Sequence, residues 1–173
     1  MQSNNDLIYQ INTHLLYELK WMIFAATEFQ KCQDQSYVAF IDSASIHARN
    51  LFEFVSKNSP KNFTLAALGG SDAGRRDWET FLNNRVTHMY GREGVRPGWP
   101  DGLDNQRDDK LIVMAQTVLD LLETNGQPIP VGSVKEAYDE VILLSKDYLT
   151  NPSKESLAKL DVLYDSSRDS RPY

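Results

Sequence analysis

Residues 40–55, FIDSASIHARNLFEFV, leave the chain little choice of structure. Phe40, Ala44, Leu51, Phe54 and Val55 recur at helical spacing and make one apolar face of an amphipathic helix. His47 falls inside that face, one turn before Leu51. A titratable ring at a core position needs a polar partner, because an unpaired buried polar group costs roughly 1–3 kcal/mol. The helix must therefore pack on an element that supplies one. The expected source is residues 83–90, NNRVTHMY, where Arg85 also sits on an apolar face. The rest of the chain is read as organised around residues 40–55.

The flanking sequence repeats the helical period. From Asp6 to about Cys32, Leu7, Ile8, Ile11, Leu15, Leu19, Met22, Ala26 and Phe29 track one stripe, which Tyr9, Tyr17 and Trp21 widen. A helix this long and aromatic is expected to pack on more than one partner. Asn4 or Asn5 is its expected N-cap, with Asp6 at the positive helix end. His14, at the stripe's edge, reads as a half-buried surface histidine. A short polar turn at 33–36 implies an αα-hairpin with a second helix from Tyr37 to Asn58, ended by Ser59-Pro60. Phe63 to Leu68 reads as a short turn tucked into the core. The GGSDAG run that follows reads as a flexible connector. It is no phosphate loop, since it lacks the Gly-Lys-Ser/Thr and a preceding strand.

A third helix is expected over 76–90, with Trp78, Leu82, Val86 and Met89 inward, and then a loop at 91–107 pinned by Trp99. A fourth runs from Asp108 to Thr124, stopped by Asn125-Gly126. After a proline linker at 127–132, Ser133 and Glu136 have the spacing of a capping box for a fifth helix to Leu149. Asn151-Pro152 reads as the cap and first residue of a sixth, to Tyr164. No alternating run competes. The expectation is one all-α domain over 1–173, an up-down bundle of about five or six helices. Residues 1–125 form its core and 126–173 a C-terminal pair that the linker can set off as a sub-lobe.

A net charge of −6 argues against a generally basic nucleic-acid binder, though not against a local basic patch. The single cysteine, Cys32, permits no internal disulfide, which fits a reducing compartment. The polar start MQSNND lacks the pattern of a secretion signal, and no apolar run approaches the ~20 residues of a spanning helix. A cytoplasmic protein without a membrane partner is expected.

Few residues can carry chemistry. His14, His47 and His88 sit on three different helices with no metal-ligand spacing, so no metal and no cofactor is expected. What remains is Arg85 with His88 on one helix, and His47, Arg49 and Asn50 on another. Metal-free RNA cleavage needs a histidine as acid or base and an arginine at the phosphate. Arg85 and His88 supply both and are the candidate catalytic pair. Arg75, Arg76, Arg92 and Arg96 flank them as candidate phosphate-binding residues, with no lysine between 75 and 96. The competing account is structural. Arg49 projects opposite the apolar face and can pair with Glu53, and His47 with Arg85 can form a buried network that fixes helix register.

The segments IHARNLFEF and NNRVTHMY resemble those of small bacterial helical proteins similar to the HEPN superfamily, over roughly residues 15–57 and 77–92. The resemblance implies a helical bundle, homodimerisation, and either metal-independent endoribonuclease activity in a bacterial defence or toxin module or a non-catalytic role as a dimer or complex subunit. The HEPN motif sets its histidine further from the arginine than the two residues between Arg85 and His88, and Arg49-Asn50 has no histidine at that longer spacing. Only these residues carry over.

Overall fold

The computed structural model describes residues 3–31, 37–56, 63–72 and 110–169. Among them there are helices and no strand. A first rod is built of α1 (Asn4–Gln10), a π-helical turn (Ile11–Leu15) and α2 (Leu16–Phe29). Then come α3 (Tyr37–Val55), a 3-10 turn (Leu65–Leu68), α4 (Lys110–Gly126), α5 (Ser133–Thr150) and α6 (Lys154–Asp169). The expected third helix, the 91–107 loop with Trp99, the 33–36 turn and Cys32 lie outside the described residues.

The hub is α2, not residues 40–55. It packs against α3, α4, α5 and α6. The reason is in its sequence. Leu16, Leu19, Met22, Ile23, Ala25 and Ala26 are all buried, and at ~100° per residue they cover about half the helix circumference. The stripe expected from Leu15, Leu19, Met22 and Ala26 is therefore only the middle of a wider apolar surface. Ring and ion-pair contacts give the directions. Phe24 meets Phe40 and Glu18 meets His47, so α3 runs antiparallel to α2. Lys20 pairs with Asp161 and Tyr17 meets Tyr164, so α6 does too. The C-terminal helices put Val134, Tyr138, Val141, Ile142, Tyr148, Leu149 and Leu160 into the same core as α2. Tyr138 is wholly enclosed. Its hydroxyl donates to the Leu122 carbonyl at 2.8 Å, and burial pushes its phenol up from its ordinary value.

Helix ends are where pattern reading slips. Ser3, not Asn4 or Asn5, caps α1. Its hydroxyl accepts from the Asp6 N–H, and the Asp6 carboxylate accepts from the Ser3 N–H. Ser133 forms no capping box, because it is already helical and Gly132 precedes it at φ 145 with no side chain to cap. Asn151 closes α5, and α6 is capped by Ser153, whose Oγ accepts from the Ser156 N–H at 3.1 Å. Asn125 and Gly126 lie inside α4, the Asn125 amide donating back to Leu121. The π-helical turn has no sequence signal. It carries Asn12 and Thr13 inward, and Thr13 donates to the Tyr9 carbonyl at 2.6 Å.

Phe63–Leu68 tucks inward as expected, with Leu65 and Leu68 buried. The start of GGSDAG, expected as a flexible connector, is instead anchored. Gly69 takes the left-handed conformation at φ 92 that ends the 3-10 turn. Ser71 N–H then donates to the Asn125 carbonyl at 2.8 Å, and its hydroxyl to Asn125 Oδ1 at 3.0 Å. Gly70 lets the backbones meet. A Cβ there would lie 2.5 Å from Leu65 Cγ and 2.9 Å from Asn125 O. Gly70→Ala is therefore expected to cost about 1–3 kcal/mol by overpacking. A denaturation midpoint equal to that of the native chain would show that the loop is not held here.

Candidate functional site

The helix that carries IHARN presents His47 to α2. Its Nδ1 lies 2.7 Å from Glu18 Oε2. A carboxylate only accepts, so Nδ1 carries the hydrogen and the ring orientation is fixed. Asn50, nearly one turn further along α3, donates Nδ2–H to the same oxygen at 3.1 Å. The His47 and Glu18 side chains retain only 15% and 24% of their exposure. The ring of Tyr17 stands edge-on to the imidazole at 5.6 Å between centroids. His47 is thus held by a carboxylate on one edge and an aromatic ring beside it. Its described partner is Glu18, not the 83–90 segment.

Arg49 points elsewhere. Its Nη2 lies 3.1 Å from Glu53 Oε1, one turn along the outer side of α3. The structure therefore brings His47 and Asn50 together and leaves Arg49 out of that cluster. Arg75, Arg76, Arg85, His88, Arg92 and Arg96 lie outside the described residues. His14 is exposed, near the Phe63 ring. Among the described residues, no group of His, Cys, Asp or Glu converges to hold a metal ion, and no helix is long and apolar enough to cross a membrane.

Pattern reading missed Glu18. A signal exists: Glu18 follows Leu15 by three residues and precedes Met22 by four, so it sits beside the apolar stripe as His47 does on α3. Two polar intrusions on facing stripes are a matched pair.

On the other side of α2, partly exposed rings form a continuous ladder. Phe40 meets Phe24 at 6.4 Å, Phe24 meets Trp21 at 5.5 Å, Trp21 meets Tyr17 at 6.3 Å, and Tyr17 meets Tyr164 at 6.2 Å. The Lys20 ammonium lies over Trp21 and pairs with Asp161, and the Arg168 guanidinium lies over Tyr164. The ladder floors the space between α3 and α6, which each pack on α2 but not closely on each other.

No protein-family model, no curated protein and no solved structure matches the chain. What the described site does chemically follows from its hydrogen bonds. A carboxylate that orients a histidine can serve acid–base chemistry. Here the same carboxylate also takes Asn50, and the pair is mostly enclosed, so its main effect is to fix α3 against α2. Glu18→Ala strands two donors and is expected to cost about 1–3 kcal/mol. In a double-mutant cycle with His47→Ala the losses are expected to fall short of additivity by ~0.5 kcal/mol or more. Strict additivity would mean that the two side chains do not act together.

Proposed function

We propose that the chain is an up-down, HEPN-like helical protein that acts by binding a partner and not by catalysis, with Glu18, His47 and Asn50 as the pin between α2 and α3. The observation that carries this reading is how the polar side chains of IHARN are used. His47 and Asn50 both donate to one Glu18 oxygen, and Arg49 pairs with Glu53. Each is engaged within the fold. A general base needs its proton-accepting nitrogen within reach of a substrate, and a ring enclosed to this degree meets structural needs first. The all-helical composition and the antiparallel α2–α3 pair support the HEPN-like part of the reading.

A second reading keeps catalysis. It is favoured by the five arginines, without a lysine, among Arg75, Arg76, Arg85, Arg92 and Arg96, an unusual local excess on a chain of net charge −6. In this reading Arg85 holds the scissile phosphate of RNA and His88 moves the proton. The two readings part in one assay. The purified chain is incubated with single-stranded RNA in EDTA beside an Arg85→Ala/His88→Ala variant. The binding reading expects no cleavage by either. Cleavage by the native chain that the double variant loses would replace it with the nuclease reading.

A further inference from the structure

The aromatic ladder has a property that the core does not explain. Tyr17 is 40% exposed, and Trp21 and Tyr164 are partly exposed. Among the described residues, neither tyrosine hydroxyl nor the Trp21 indole N–H has a hydrogen-bond partner. Buried or half-buried Tyr and Trp ordinarily find one. Three neighbouring rings therefore hold out donors above an apolar floor. They stand at angles to each other, 63° between Tyr17 and Trp21 and 37° between Tyr17 and Tyr164, which leaves notches between the rings.

We propose that this ladder, between α3 and α6, is a docking surface for an extended proline-rich segment of a partner protein, a proposal that rests on the binding reading above. The chemistry matches in three respects. A polyproline II strand makes no internal hydrogen bonds and offers carbonyl acceptors without a proline N–H, which suits a surface that presents donors. Its rings fill notches between aromatic side chains at little entropic cost, because the strand is already extended. The charge of the α6 edge selects a basic flank. Asp165 is exposed and has no ion pair among the described residues, and Asp161 keeps 43% of its side-chain exposure beside Lys20. The cations at the ladder are committed: Lys20 to Asp161, and Arg168 to the face of Tyr164. A polyanion would meet those carboxylates and find no uncommitted cation at the ladder itself.

The test uses the full chain and a fluorescein-labelled proline decamer flanked by arginines, followed by anisotropy. Controls are the decamer without arginines, an alanine-based peptide with the same arginines, and single-stranded RNA. Expected is saturable binding of the arginine-flanked decamer that Tyr17→Ser weakens about tenfold, as for an aromatic anchor at an interface. Asp165→Lys should weaken the flanked decamer and spare the unflanked one. Both substitutions are at exposed side chains, and an unchanged melting temperature verifies the fold. Equal binding of the alanine peptide, indifference to Tyr17→Ser, or a ladder occupied by a second copy in sedimentation would overturn the docking proposal while leaving the binding reading in place. Binding of RNA that Tyr17→Ser abolishes would overturn the choice of partner. Failure of the binding reading is read separately, as RNA cleavage in EDTA.

Discussion

Desolvation of α2 on about half its circumference decides where the other helices go. No single neighbour can cover Leu16, Leu19, Met22, Ile23, Ala25 and Ala26 at once, because their directions span too wide an arc. Covering them takes α3, α4, α5 and α6 together. Each buried aliphatic side chain of this size contributes roughly 1.5–3 kcal/mol. The order of the helices round α2 therefore follows from one segment of fourteen residues.

The remaining arc of α2 has a different character. Tyr17, Trp21 and Phe24 lie within ~60° of one another, opposite the aliphatic residues. Glu18 sits at the border between the two surfaces, and His47 and Asn50 meet it there. A polar pair at a border suits the packing. Fully buried, the pair would lose most of its Coulombic gain to desolvation, and fully exposed it would hold little. At the border it fixes the register of α3 and keeps the aromatic ladder facing outward. A slip of α3 by one turn would separate His47 from Glu18 and Phe40 from Phe24 together.

The helical class was legible because its signal is periodic and long, and the individual stripes were read correctly where one face dominates, as in Leu111, Ala115, Val118, Leu119 and Leu122 of α4, all buried. The hub was misplaced because a stripe search records one face and α2 buries several. Caps were misread at Ser3, Ser133 and Ser153 because Ser, Asn and Asp crowd each boundary, and local patterns do not say which of them turns its oxygen to the helix. The Gly69–Ser71 anchor was hidden for a related reason. A glycine pair in sequence signals freedom, whereas here its smallness permits contact with Asn125 from far along the chain. Of the candidate site, His47 was visible as an anomaly and Asn50 as its neighbour. The true partner was not, since the search for it favoured an arginine over a carboxylate.

That preference shows how the same anomaly supports two arguments. A histidine on an apolar face calls for a polar group, and catalysis and packing both answer the call. They differ in what they ask of the second ring nitrogen. Catalysis asks that it face a substrate, whereas packing asks only that the first be satisfied and the ring be still. With Nδ1 on Glu18, Tyr17 edge-on, and the ring mostly enclosed between α2 and α3, His47 meets the second demand in full. The exposed, donor-bearing side chains lie one step away, on Tyr17, Trp21 and Tyr164. The polar residue that stands out in the sequence thus holds the surface in place, and the aromatic residues that looked like core are the ones turned toward a partner.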